Sequence, residues 1–288
     1  MAENDKSLPF SGKVVWITGA SAGIGEQLSY QFSELGASLI LSARREEYLQ
    51  KVNQNLPRNP GQAIILPLDL EQWNQLPEKV ETALSCFGGV DILINNAAVG
   101  IRDYALATRL EVDEKLMNIN YFGPVVLTKC LLPSMLEKGQ GQVVVVSSLS
   151  GKYGVPRTAA YTAAKHALHG FFESLRSEIT IPGICFTMII AGIIQTNITA
   201  HALTGKGESF GRNEQTYQRG YPVEKAATGI IKAIQKKKEE VFVGGWERTT
   251  LWVHWLSPWV FRRVIRNHPI KWLRKTRELF SLSKSTSF

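Results

Sequence analysis

The chain has 288 residues, 44% hydrophobic and 20% charged with no low-complexity block, so it can bury a core and does not read as disordered. Its net charge of +8 is not spread over the body: residues 246–288 hold nine Lys/Arg against two acids, a net of +7. A nucleic-acid groove would distribute that charge, so no nucleic-acid partner is expected.

In chain order, residues 13–18 (KVVWIT) form a short apolar, β-branched run, followed by the glycine turn 19–25 and by helical spacing to Leu35. Residues 38–42, 63–68, 90–94, 142–146 and 184–190 are further near-continuous apolar runs, each separated from the next by enough chain for a helix. A helix over residues 223–235 and a short strand over 240–243 complete the pattern. Strands without polar alternation are buried on both faces, and repeated βα units wind right-handedly into a parallel sheet. The expected fold is α/β. A single doubly wound, Rossmann-like parallel sheet with helices on both faces spans residues 11–245, and a basic, Trp-rich C-terminal appendage spans 246–288.

In Gly19-Ala-Ser-Ala-Gly23-Ile-Gly25 the glycines sit at i, i+4 and i+6 directly after the first strand. A turn without Cβ atoms lets backbone approach a pyrophosphate at the positive end of a helix. About 20 residues on, where an acid would accept hydrogen bonds from the ribose 2′-hydroxyl of NAD, the second strand ends Leu41-Ser42-Ala43-Arg44-Arg45. A carboxylate repels a 2′-phosphate and a guanidinium grips it, so NADP(H) is the expected cofactor. The plainer reading makes Arg44 and Arg45 solvated first-turn residues beside Glu46 and Glu47.

Tyr161 and Lys165 are spaced i, i+4, which puts a phenol and an ammonium on one helical face. A phenol of pKa about 10 is a poor acid-base catalyst at neutral pH, and a fixed cation nearby is expected to lower that value. Tyr221 and Lys225 repeat the spacing, but Ser148 lies thirteen residues before Tyr161, at the carboxyl edge of the sheet where open α/β folds bind ligands. Tyr221 has Glu208 at that distance, and Pro222 restricts helix there to a first turn.

Taken in order, Thr18-Gly-Ala-Ser-Ala-Gly-Ile-Gly25, Asp69, Asn95-Asn-Ala-Ala98, Asn120, Ser147-Ser148 and Tyr161-x-x-x-Lys165 resemble the short-chain dehydrogenase/reductase family over residues 11 to about 245. The resemblance implies Asn120, Ser148, Tyr161 and Lys165 as catalytic residues: Tyr161 the acid-base, Ser148 the holder of the substrate oxygen, Lys165 the partner of the nicotinamide ribose, Asn120 the anchor of a water relay. It implies a cofactor site of Gly19, Ser21, Ala22, Gly23, Ile24, Gly25, Ser42, Arg44, Arg45, Asp69, Leu70, Asn96, Ala97, Tyr161, Lys165, Ile194 and Thr196. Two positions depart from the pattern: Ala98 replaces a glycine, and Ala191-Gly192 replaces Pro-Gly after the sixth strand.

Within the family, Asn120-Tyr-Phe-Gly-Pro-Val125 and Leu131-Leu-Pro-Ser-Met135 are similar to the branch called dehydrogenase/reductase member seven, in its B-type. That likeness implies a membrane-associated, NADPH-dependent reductase of a small hydrophobic ketone or aldehyde, lipid-like or steroid-like, assembled as a homo-oligomer. The amino-terminal anchor of that branch is not expected here. Two other functions share part of this pattern. An epimerase or dehydratase of the extended family carries T-G-x-x-G-x-x-G and a larger carboxyl-terminal domain, which this sequence lacks; a catalytically idle NADP-binding regulator loses the tyrosine or the lysine, and both are present.

Cys86, Cys130 and Cys185 are scattered, which fits neither a disulfide framework nor a thiolate metal site, and residues 1–10 lack a secretory order, so a cytoplasmic protein is expected. His166 and His169 find no third ligand in sequence, and no metal is expected. Residues 193–221 form a long connection with Ile194, Ile198, Ala202, Leu203, Phe210 and Tyr217, the expected lid over an apolar substrate. The tail interleaves Trp246, Trp252, Trp255, Trp259 and Trp272 with Arg262, Arg263, Arg266 and a basic cluster at 271–277, which predicts a peripheral membrane contact. The alternative is a tail packed over the pocket or a partner subunit.

Overall fold

The computed structural model describes residues 8–57 and 62–266. Strands β1 (Val14–Thr18), β2 (Ser38–Ser42), β3 (Ala63–Ile65), β4 (Ile92–Asn95), β5 (Gly141–Ser148), β6 (Ile184–Ala191) and β7 (Glu240–Val243) form one parallel sheet in the order β3-β2-β1-β4-β5-β6-β7. Between and after them run α1 (Gly23–Glu34), α2 (Glu46–Gln54), α3 (Leu76–Ser85), α4 (Leu110–Met117), α5 (Gly123–Glu137), α6 (Ala159–Glu178), α7 (Gln215–Gln218), α8 (Val223–Gln235), α9 (Arg248–Leu256) and α10 (Pro258–Arg266).

The unbroken apolar runs explain the two-sided core. All five residues of β1 are buried, and successive side chains leave on opposite faces. Trp16 meets Ile40 and Leu93 under α3, α5 and α6, where Leu131, Met135 and Phe172 close the layer. Val15 and Ile17 meet Leu39 and Leu41 under α1, α2 and α8, through Leu28, Phe32 and Ile230. Each such side chain contributes roughly 1.5–3 kcal/mol on leaving water.

Several strand ends differ from the sequence expectation, β4 for one running Ile92–Asn95, and two of the differences have clear consequences. β3 ends at Ile65 because Pro67 has no N–H for the ladder, although Leu66 and Leu68 still donate to Leu41 and Ala43. β5 continues through Ser148, so that serine belongs to the strand end. The order of the strands reverses between β1 and β4, and the crevice at their carboxyl ends is where such sheets receive ligands.

Past the sheet, α9 and α10 fold back on the α6 side. Phe261 is buried with Leu251 and Ile265 against it, its ring 4.6 Å from that of Tyr153, whose hydroxyl lies 2.7 Å from Thr250 Oγ1. Residues 267–288, with Trp272 and the basic cluster at 271–277, lie outside the described residues.

Candidate active site

The glycine turn is held from below by Thr18 and Asn96. Asn96 Nδ2 donates to Thr18 O at 2.9 Å and Gly19 O at 3.3 Å, and Thr18 Oγ1 accepts from the amides of Asn96 and Ala97. There is no room for side chains: a Cβ at Gly25 would stand 2.2 Å from Gly19 O, and Gly19, with φ +67°, would meet Ala97 Cα at 2.8 Å. The N-cap of α1, Ala22, offers no side-chain acceptor, so the first amides of that helix remain available to an anion beside exposed Ala22 and half-buried Ser21. Gly23 faces Thr196 across this turn, where a Cβ would lie 3.1 Å from Thr196 Cγ2. Half-buried Ile24 leans on the α1-side core. These residues fit a dinucleotide.

At the end of β2 the predicted residues divide. Ser42 is fully buried, its hydroxyl donating to Leu66 O at 2.6 Å and accepting from Trp16 Nε1 at 2.9 Å, so its side chain is committed to the core. Arg44 is exposed at the strand end, and Arg45 lays its guanidinium 4.0 Å from the ring centroid of Tyr48. Asp69 caps Glu71 through Oδ1, and Leu70 packs against Gly123, where a Cβ would stand 2.8 Å away. Ile194 is buried and bridges to Tyr221.

Tyr161, Lys165, Ser148 and Asn120 converge above the carboxyl ends of β4 and β5. The Tyr161 hydroxyl faces Ser148, which helps hold its pKa down, and Ser148 Oγ accepts from the Ser150 amide. Lys165 is 2% exposed; its Nζ donates to Val146 O at 2.9 Å and lies 5.7 Å from the Tyr161 ring centroid. Asn120 sits in a π-turn at Asn118–Phe122 between α4 and α5, fully buried, exchanging hydrogen bonds with Val99 and donating to Leu116 O. Its side chain thus clamps the chain leaving β4 to the end of α4.

The expected depression of the Tyr161 pKa does not occur here. Burial raises it well above the ordinary phenol value, Tyr217 adds to the rise, and the hydrogen bond to Ser148 with the charge of Arg102 opposes it. Burial also pushes Lys165 down, to about 8.

The connection 193–221 is laced to the body. Leu203 bridges to Ile101 and packs with Tyr161 and Val99, the Gly205 amide donates to Asp103 Oδ2 at 2.8 Å, and Ala202 is buried. Arg102, missed in the sequence, donates to Glu214 Oε2 at 3.0 Å and lies 5.6 Å from the Tyr217 ring centroid, so the short α7 reaches Tyr161. Glu247, also missed, is buried just before α9 and accepts from the Ile193 amide at 3.0 Å. Neither pair shares a motif, being 112 and 54 positions apart.

A doubly wound sheet with a glycine turn at its switch point, and a Ser-Tyr-Lys cluster at the carboxyl edge, is the architecture of a nucleotide-binding fold. The short chain dehydrogenase profile matches residues 13–206. A dehydrogenase/reductase SDR family protein 7-like of Anopheles gambiae is 38% identical over 279 residues, covering 94% of this chain and 87% of that one. Dehydrogenase/reductase SDR family member 7B of Mus musculus is 35% identical over 263 residues, covering 90% and 81%. A Burkholderia phymatum short chain dehydrogenase/reductase in complex with NAD superposes with TM-score 0.77 at 22% identity, covering 85% and 94%. A metagenomic short-chain oxidoreductase in complex with NADP does so with TM-score 0.68 at 24% identity, covering 82% and 98%. The chain belongs to the short-chain dehydrogenase/reductase family of oxidoreductases, and its curated relatives include members 7 and 7B. Its structural neighbours hold either nicotinamide dinucleotide.

Proposed function

We propose that the chain is an NADPH-dependent reductase of small hydrophobic ketones or aldehydes, with residues 11–245 as the catalytic domain and 246–288 as a surface-seeking tail. One observation carries this reading: the Tyr161 hydroxyl faces Ser148 at the carboxyl end of β5, with the Lys165 ammonium 5.7 Å from its ring centroid. The nicotinamide, when bound, supplies the hydride. The glycine turn, the amides of α1, Asp69, Asn96, Ala97, Ile194 and Thr196 would hold it. Ser148 and Tyr161 donate to the substrate carbonyl; as the oxygen gains charge it takes the Tyr161 proton, and the Lys165 ammonium stabilises the phenolate left behind. A phenol raised by burial keeps its proton until an alkoxide, a stronger base, develops, which favours the direction of reduction. Leu203, Ile101 and Val99 around Tyr161 favour an apolar substrate.

The test follows oxidation of NADPH against a panel of carbonyls. Long-chain or polycyclic ketones are expected to give higher kcat/KM than sugars or short polar ketones, and the reverse ranking removes the hydrophobic assignment. For the cofactor, Arg44→Ala is expected to weaken NADPH by roughly 1.5–3 kcal/mol, the range of a hydrogen bond to a charged group, with NADH almost unchanged. Equal losses on both cofactors would show that Arg44 does not read the phosphate.

Among the described residues no helix is long and apolar enough to cross a membrane. The tail supports contact with a surface instead. Trp246, Trp255 and Trp259 are 75%, 73% and 71% exposed, with Trp252 and Leu256 also outward and Arg262 and Arg263 beside them, while Phe261 anchors the opposite side. Flotation with vesicles rich in anionic phosphatidylserine at low salt is expected to carry the intact chain upward. Trp255→Ser with Trp259→Ser should leave it in the soluble fraction, without removing Glu247 or Phe261 as truncation after Gly245 would. If the intact chain stays soluble as well, membrane contact is wrong.

A further inference from the structure

A second cluster of ligating side chains lies on another face of α6. His169 and Glu173 are one turn apart, and Glu240 opens β7 beside them; one ring nitrogen and one oxygen from each carboxylate all fall within 4.8 Å of one another. His169 is 94% buried by its 6% exposure. Its Nε2 is 2.9 Å from Ser147 Oγ, and its Nδ1 is buried without a hydrogen-bond partner, 3.9 Å from Glu240 Oε2. Gly151 makes space for the ring, since a Cβ there would lie 2.7 Å from His169 Cδ2 and Nε2.

In the tautomer whose Nε2–H donates to Ser147, Nδ1 keeps a free lone pair, 3.9 Å from Glu240 Oε2 and near the Glu173 carboxylate. One imidazole fixed by an outer hydroxyl, two carboxylates at the surface and open positions for water make the donor set of a borderline divalent metal. We propose that His169, Glu173 and Glu240 bind a divalent transition-metal cation of the zinc class.

One further observation bears on it. The Lys152 ammonium is 2.7 Å from Glu240 Oε2, so the carboxylate already attracts a cation, and Lys152 is the internal competitor that must swing out when a metal enters. A bound cation would tie α6, which carries Tyr161 and Lys165, to the start of β7.

The experiment is titration of the purified full chain with Zn²⁺, read by melting temperature, and with Co²⁺, read by its visible absorption. Neither readout needs activity. The wild type is expected to melt higher with Zn²⁺ and to bind one Co²⁺. Glu240→Gln, at the surface, should weaken binding at least about tenfold, as should His169→Gln. Lys152→Met should tighten it, and His166→Gln should change nothing. Absence of binding in both the wild type and Lys152→Met overturns the site, as does undiminished binding in Glu240→Gln.

Discussion

Tyr161→Phe is expected to lower turnover by about 10²- to 10⁴-fold while cofactor affinity is kept, because the change deletes the proton donor alone. Ser148 loses the hydroxyl that faces it, and the ring stays in the apolar cluster with Leu203 and Ile101. Tyr221→Phe is the control, since Tyr221 shares the spacing to a lysine but binds the cover through its backbone, donating to Ile193 O at 2.7 Å. Steady-state rates with a reducible ketone, alongside NADPH binding by fluorescence, separate the two. Equal loss in both variants would move the proton donor elsewhere.

Lys165→Met is expected to show a cost that the wild type bears. A folded pKa of about 8 against an ordinary 10.5 means the unfolded chain holds this proton more tightly between those values. Stability therefore rises with pH from about 8 to 10.5, and below pH 8 the full penalty of about 3 kcal/mol is present. Methionine has no charge to bury, so that rise should vanish from urea midpoints measured across the window. Loss of the ammonium should weaken the cofactor by about 10- to 100-fold, the range of a charge-assisted hydrogen bond. A variant that keeps the wild-type slope would assign the alkaline rise to another group. The burial that costs stability also places the cation under Tyr161, a compromise common at sites built for function.

What could be seen in the chain follows from the range of each interaction. The strands were legible because a run such as Val14–Thr18 carries its two-sided burial in five consecutive residues, and the glycine turn because Gly19, Gly23 and Gly25 answer a local steric demand. The Tyr161–Lys165 pair was visible for the same reason, yet the direction of the phenol's shift was not, since burial is set by Leu203 and Ile101 arriving from other segments. Ser42 looked like a cofactor ligand from its place at a strand end, but its hydroxyl is committed to Trp16 and Leu66. The metal pairing of His169 with Glu240 is hidden in the same way. His166, the near neighbour that drew attention, instead bonds Thr162 O.

The buried Glu247 carboxylate on the Ile193 amide has a thermodynamic consequence. It joins the start of the helical tail to the residue that launches the cover over Tyr161. Linkage is reciprocal: if seating the tail on a surface changes substrate affinity by some factor, a bound substrate changes surface affinity by that same factor. On the proposed surface contact, a factor above one would keep the loaded enzyme longest on the vesicle and a factor below one would release it soonest, so the lifetime there would read the occupancy of the pocket in either case.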